Sequence, residues 1–121
     1  MYLLGIRDKS QLFTHPLLGN IFENMVVMEK LKQRLNAGYE PDMWFYRNSS
    51  GSIEVDLMVE EAGWIYPMEI KSAATYSAGM RKHLDEFVKL ESRAKDPLVI
   101  YSGTTYPGQA VNFMDYFTRT P

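Results

Sequence analysis

Residues 53–71, IEVDLMVEEAGWIYPMEIK, constrain the fold more than any other part of the chain. Two apolar runs, 53–59 and 64–71, are separated by the short turn sequence EEAG. Runs of this length, rich in β-branched and aromatic residues and punctuated by Gly, read as two antiparallel strands of one hairpin. A lone hairpin is marginal in water, so other strands or a helix must cover it. The same runs carry charges that a strand buried on both faces has little reason to hold. Asp56 lies between Val55 and Leu57, and Glu69 and Lys71 flank Ile70.

Further elements surround the hairpin. Residues 17–36 read as a helix, with Leu18, Ile21, Phe22, Met25 and Met28 as a stripe at helical spacing and the Met-rich side facing the core. Gly38 supplies its C-terminal stop. MWFYR, 43–47, is a first strand, and NSSGS leads into the second. In that second strand, regular alternation puts Ile53, Val55, Leu57 and Val59 on one face and Glu54, Asp56 and Met58 on the other. Pro67 marks the third strand as an edge or a bulge near its start. Residues 77–94 form a second helix capped by Ser77, with Met80, Leu84, Phe87 and Val88 on one side. LVIYS, 98–102, suits a buried strand, and AVNFMDYF fits either a strand or a short helix. Residues 1–16 are a lead-in segment. The expectation is an α/β fold in which a three-stranded meander is joined, across a helix, by a fourth strand parallel to one of them.

Composition removes several classes of chemistry. The chain of 121 residues has no Cys and two His, so disulfides, thiolate metal sites and a Cys nucleophile are excluded and zinc has almost no support. No G-x-S-x-G motif is present. No apolar run reaches the length of a membrane span, and the start resembles no signal peptide, so a cytoplasmic protein is expected. Net charge is −2, which argues against strong non-specific DNA affinity. Between residues 40 and 69 the one base is Arg47, whereas residues 71–95 hold six, with Arg81 and Lys82 in the second helix. Together with Arg47 these are the candidate phosphate contacts, although Arg47 suits a salt bridge with Glu54 equally well.

Asp56 and Glu69 meet across the hairpin, with Lys71 beside them. Two like charges that close repel unless something bridges them. A Mg²⁺ or Mn²⁺ ion is one solution, because such ions take one or two carboxylates plus carbonyl oxygen and water. Asp56, Glu69 and the backbone carbonyl of Ile70 form the donor set, and Lys71 can orient a water or stabilise phosphate charge. A structural salt-bridge cluster is the other solution. His83 reads as an exposed helical residue, and His15 as part of a turn.

The ordered set resembles the PD-(D/E)XK nuclease superfamily, whose restriction-endonuclease-like core runs αβββαβ. Val55-Asp56 and the Glu69-Ile70-Lys71 triplet match its motif, with Val55 in place of the usual proline. Some members, archaeal Holliday-junction resolvases among them, add a glutamate on the first helix, which nominates Glu23 in GNIFENMV. HPLLGNIFEN, FYRNSSGSIEVD and MEIK are also similar to the nuclease-like domain of unknown function at the C-terminal end of a bacterial AAA-type ATPase family. The likeness covers roughly residues 2–102. It implies Glu23, Asp56, Glu69 and Lys71 as catalytic residues, a Mg²⁺ or Mn²⁺ cofactor, DNA as substrate, and an ATPase module as partner. This chain has no G-x(4)-G-K-[ST] phosphate loop, so an excised or stand-alone C-terminal domain is expected.

Overall fold

The computed structural model describes residues 18–119; the lead-in segment lies outside them. The elements are α1 (Leu18–Asn36), β1 (Met43–Arg47), β2 (Glu54–Glu61), β3 (Trp64–Ile70), a 3₁₀ turn (Ala78–Arg81), α2 (Lys82–Leu90), β4 (Leu98–Tyr101), β5 (Ala110–Asn112) and α3 (Phe113–Arg119). The five strands form one mixed sheet in the order β1-β2-β3-β4-β5. The first two pairings are antiparallel, and the last two are parallel. The αβββαβ order expected from the sequence is present, and AVNFMDYF is both a short strand and a helix.

The hairpin turns at Ala62 and Gly63, both at positive φ (53° and 85°), as a two-residue turn matched to strand twist requires. Glycine at the second position accommodates this without Cβ strain. The 3₁₀ turn is capped as expected, with Ser77 Oγ accepting from the Gly79 N–H. α2 stops at Leu90, earlier than its apolar pattern suggests, because Ala94 is drawn into a parallel bridge with Ile65.

β3 lies in the middle of the sheet rather than at its edge, with Pro67 fully buried. The missing N–H is tolerated because Pro67 falls between the Ile65–Ala94 bridge and the ladder that starts at Met68–Leu98. Opposite it the chain passes through Asp96, at φ 51°, and Pro97 rather than through a regular strand.

Two apolar layers sandwich the sheet. One holds Ile53, Val55, Ile65, Leu84, Phe87, Val99 and Tyr101 under α2. The other holds Val26, Leu57, Val59, Met68, Ile70, Ile100 and Tyr116 under α1 and α3. Val55 and Leu57 therefore enter opposite layers, against the expectation that 53, 55, 57 and 59 share one face. The cause is a β-bulge. Trp44 pairs with Met58 and Tyr46 with Val55, so Asp56 and Leu57 together oppose the single residue Phe45.

The buried side of α1 also differs from expectation. Met25 and Met28 are exposed, Met28 by 51%, while Lys30 and Arg34 are buried, at 8% and 5% exposure. Long cationic side chains cover apolar surface with their stems when their heads find partners. Arg34 Nε donates to the carbonyls of Glu40 and Pro41, at 3.1 and 3.0 Å. The Lys30 ammonium donates to Gln33 Oε1 and lies 5.0 Å from the centre of the Tyr116 ring.

Candidate functional site

The bulge shapes the site. Beyond Leu57–Met68 the pairing of β2 with β3 ends, and the strands separate. The Asp56 carboxylate takes over from the lost ladder, with Oδ2 accepting the Ile70 N–H at 2.9 Å. In extended backbone the N–H and C=O of one residue point to the same side. The Ile70 carbonyl is therefore directed into the gap that Asp56 borders. On its other side β3 stays paired, through Glu69–Val99 and Ile70–Ile100, so the gap opens only toward β2.

Glu69 is 7% exposed, a burial that few carboxylates show. Its Oε1 accepts from Lys71 Nζ at 3.1 Å. Its Oε2 is buried and has no hydrogen-bond partner among the described residues. Burial first, then the neighbouring Asp56 carboxylate, which would accept from the protonated form and repels the charged one, push the Glu69 pKa up to about 8, against the opposing pull of Lys71. Burial works against the Lys71 ammonium, but the Glu69 charge and hydrogen bond, with the charges of Asp56 and Glu23, hold its pKa above the ordinary value.

Glu23 reaches the site from α1. The first turn of that helix runs close to the chain just after β3, where a Cβ on Gly19 would stand 3.9 Å from Ser72 Oγ. Partial burial and the Asp56 charge raise the Glu23 pKa, and Lys71 offsets them. Glu23, Asp56, Glu69 and Lys71 thus form one electrostatically coupled group drawn from α1, β2 and β3. Among the described residues no three acidic or imidazole side chains converge closely enough to hold an ion by themselves.

Two of the three candidate phosphate contacts are already engaged within the domain. Arg47 is paired with Glu54 at 3.1 Å. Arg81 Nη1 donates to the Gln109 carbonyl at 2.8 Å, and its Nη2 lies 3.7 Å from Asp85, so a phosphate would have to displace these partners. Lys82 is exposed on α2. His83 is half-buried, and its Nδ1 accepts the Glu54 N–H at 2.7 Å, a structural role that its place in a basic helix did not reveal.

A protein-family model, described as a domain of unknown function (DUF4143), matches residues 18–116. The chain belongs to the DUF4143 family. No curated protein and no solved structure matches it. The match runs from the start of α1 into α3, so all four members of the charged group lie inside the DUF4143 domain. Among the described residues, no helix of this DUF4143 domain is long and apolar enough to cross a membrane.

Proposed function

We propose that this DUF4143 domain is a divalent-metal-dependent, nuclease-like domain acting on DNA phosphodiester bonds, as the PD-(D/E)XK resemblance implies. The observation that carries the reading is Glu69 Oε2, a buried carboxylate oxygen with no hydrogen-bond partner, set beside a second carboxylate. Folded proteins seldom leave such an atom unanswered. A proton answers it at the expense of a displaced pKa; a cation answers it and removes the repulsion as well.

The donor set fits Mg²⁺ or Mn²⁺: two carboxylates, from Asp56 and Glu69, and the Ile70 carbonyl directed into the same gap, with remaining positions for water. Such an ion, when bound, lowers the pKa of a coordinated water and polarises a phosphoryl oxygen. The chain's own residues do the rest. Asp56 keeps the gap open by replacing a backbone acceptor. Lys71, protonated and half-exposed, is placed to steady a phosphate oxygen or orient the attacking water. Glu23, at the edge of the group, adds a negative charge that Asp56 and Lys71 both feel.

A non-catalytic domain serving an AAA-type ATPase is the second reading. It is favoured by the net charge of −2 and by the internal pairing of Arg81. Titration calorimetry with Mg²⁺ and Mn²⁺ on wild type and Asp56→Ala, followed by nicking of supercoiled plasmid in Mn²⁺, separates the two. Metal binding lost in the variant, with nicking by wild type alone, is the expected result. Metal-independent behaviour of both proteins, without cleavage, refutes the nuclease reading in favour of the second.

A further inference from the structure

Three residues beyond Lys71 the chain enters the wall of a cleft of about 400 Å³ that no step above uses. Tyr76, Tyr101 and Tyr106 supply its aromatic surface, and Thr104 and Gln109 supply polar groups. It sits where β3 and β4, a parallel pair, both end, the side of such sheets on which ligands bind.

The cleft is built. The Ser102 N–H donates to the Ala73 carbonyl at 3.2 Å. The Ser102 hydroxyl lies 2.6 Å from the Ser72 carbonyl and 2.9 Å from that of Ala73. These contacts tie the segment after Lys71 to the end of β4. Gly103 lets the two approach, since a Cβ there would fall 2.3 Å from the Ala74 carbonyl and 2.7 Å from the Tyr101 ring. Tyr101 is fully buried, and its hydroxyl donates to the Thr104 carbonyl. Tyr76 meets Tyr101 edge-on at 6.3 Å and Tyr106 at 6.1 Å, tilted by 48°.

The rings therefore brace one another instead of closing face to face, and Tyr106 remains 50% exposed. A core cluster would bury that ring. An exposed ring held at a fixed angle by its neighbours is a stacking platform, and stacking is sequence-tolerant because every nucleobase has a π face. Tyr76 donates its hydroxyl to Gln109 Oε1 at 3.2 Å, which orients the Gln109 amide and leaves its NH₂ as a donor for the edge of a stacked base.

We infer that the Tyr76–Tyr106 cleft holds an unpaired nucleobase, so that the strand presented to the charged group is single-stranded, or has a base turned out, beside the reacting phosphate. This rests on the nuclease reading for what the neighbouring group does, but base binding is measured separately. Exposed Tyr106 is the residue to change, because its removal leaves the buried Tyr101 in place.

The probes are a fluorescein-labelled oligothymidine and an abasic oligomer of equal length, titrated by anisotropy in Ca²⁺ against wild type, Tyr106→Ala and Tyr106→Phe. Tyr106→Ala is expected to bind oligothymidine about 5- to 100-fold more weakly, with binding of the abasic oligomer unchanged and Tyr106→Phe close to wild type. Equal losses on both oligomers, no loss on either, or no binding of oligothymidine by wild type overturns the inference. Cleavage in Mn²⁺ is scored alongside. Base-dependent binding without cleavage keeps the cleft and refutes the nuclease; cleavage with Tyr106→Ala behaving as wild type refutes the cleft and keeps the nuclease.

Discussion

Glu69→Gln should make the metal-free protein more stable, and increasingly so as pH rises. Glu69 has its pKa displaced from 4.5 to about 8 by burial and by Asp56. Below pH 4.5 both folded and unfolded chains carry the proton, and the site contributes no pH dependence. Between about 4.5 and 8 the unfolded chain releases the proton while the folded chain retains it, so stability falls as pH rises and levels off above 8. At about 1.4 kcal/mol per pH unit, and discounted for solvent screening at the rim, the loss is about 2–4 kcal/mol.

Glutamine offers Asp56 an N–H in place of the shared proton and has no charge to desolvate. The variant forfeits the pairing with Lys71, but that ammonium is half-exposed and such pairs contribute less than about 1 kcal/mol, so the burial effect wins. For a domain of this size about 3–5 °C accompanies each kcal/mol. Thermal unfolding followed by circular dichroism in EDTA should show the two proteins alike at pH 5 and the variant about 10 °C higher at pH 9. Added Mg²⁺ should then raise wild type and leave the variant unmoved. A variant that melts below wild type at pH 9 in EDTA would refute the reasoning and establish Glu69–Lys71 as a stabilising salt bridge.

Asp56→Asn retains an acceptor for the Ile70 N–H and should fold normally, with its Tm within a few degrees of wild type; calorimetry should show Mg²⁺ affinity at least 10-fold weaker. Gly103→Ala forces a Cβ against backbone and a buried ring, and urea unfolding should report a loss of about 1–3 kcal/mol. Arg34→Ala strips two carbonyls of a buried charged donor and should cost about 2–4 kcal/mol by the same measurement, whereas Arg47→Ala, at an exposed pair, should cost less than about 1 kcal/mol.

The element order was legible because its signals are local: strand-length apolar runs, Gly63 and Gly38 at turns, Ser77 at a cap. Asp56 and Glu69 were legible because acids in apolar strands are conspicuous, whereas Glu23, on a helix, was nominated only by the family resemblance. Three features were hidden, each for a physical reason. The bulge at Asp56–Leu57 is a property of the pairing with β1, and a single strand's sequence does not declare its partner's register. The burial of Lys30 and Arg34 depends on acceptors and a ring brought in from Glu40, Pro41 and Tyr116. Pro67 is central because the chain opposite happens to leave the ladder at that level, which only the crossover through α2 determines.

The extra residue in β2 ties the parity of that strand to the existence of the site. Remove one residue between Val55 and Met58 and β2 becomes an unbroken alternation. With Asp56 removed, Val55 and Leu57 would become neighbours that still enter opposite layers, but the bulge would close and the carboxylate that accepts the Ile70 N–H would be gone. No substitution at Asp56, Glu69 or Lys71 closes the bulge, because that is a matter of counting rather than of chemistry. The opening between β2 and β3 is therefore tied to a length as well as to a side chain, because the residue that β2 holds in excess of β1 lies where the Asp56 carboxylate meets the Ile70 N–H.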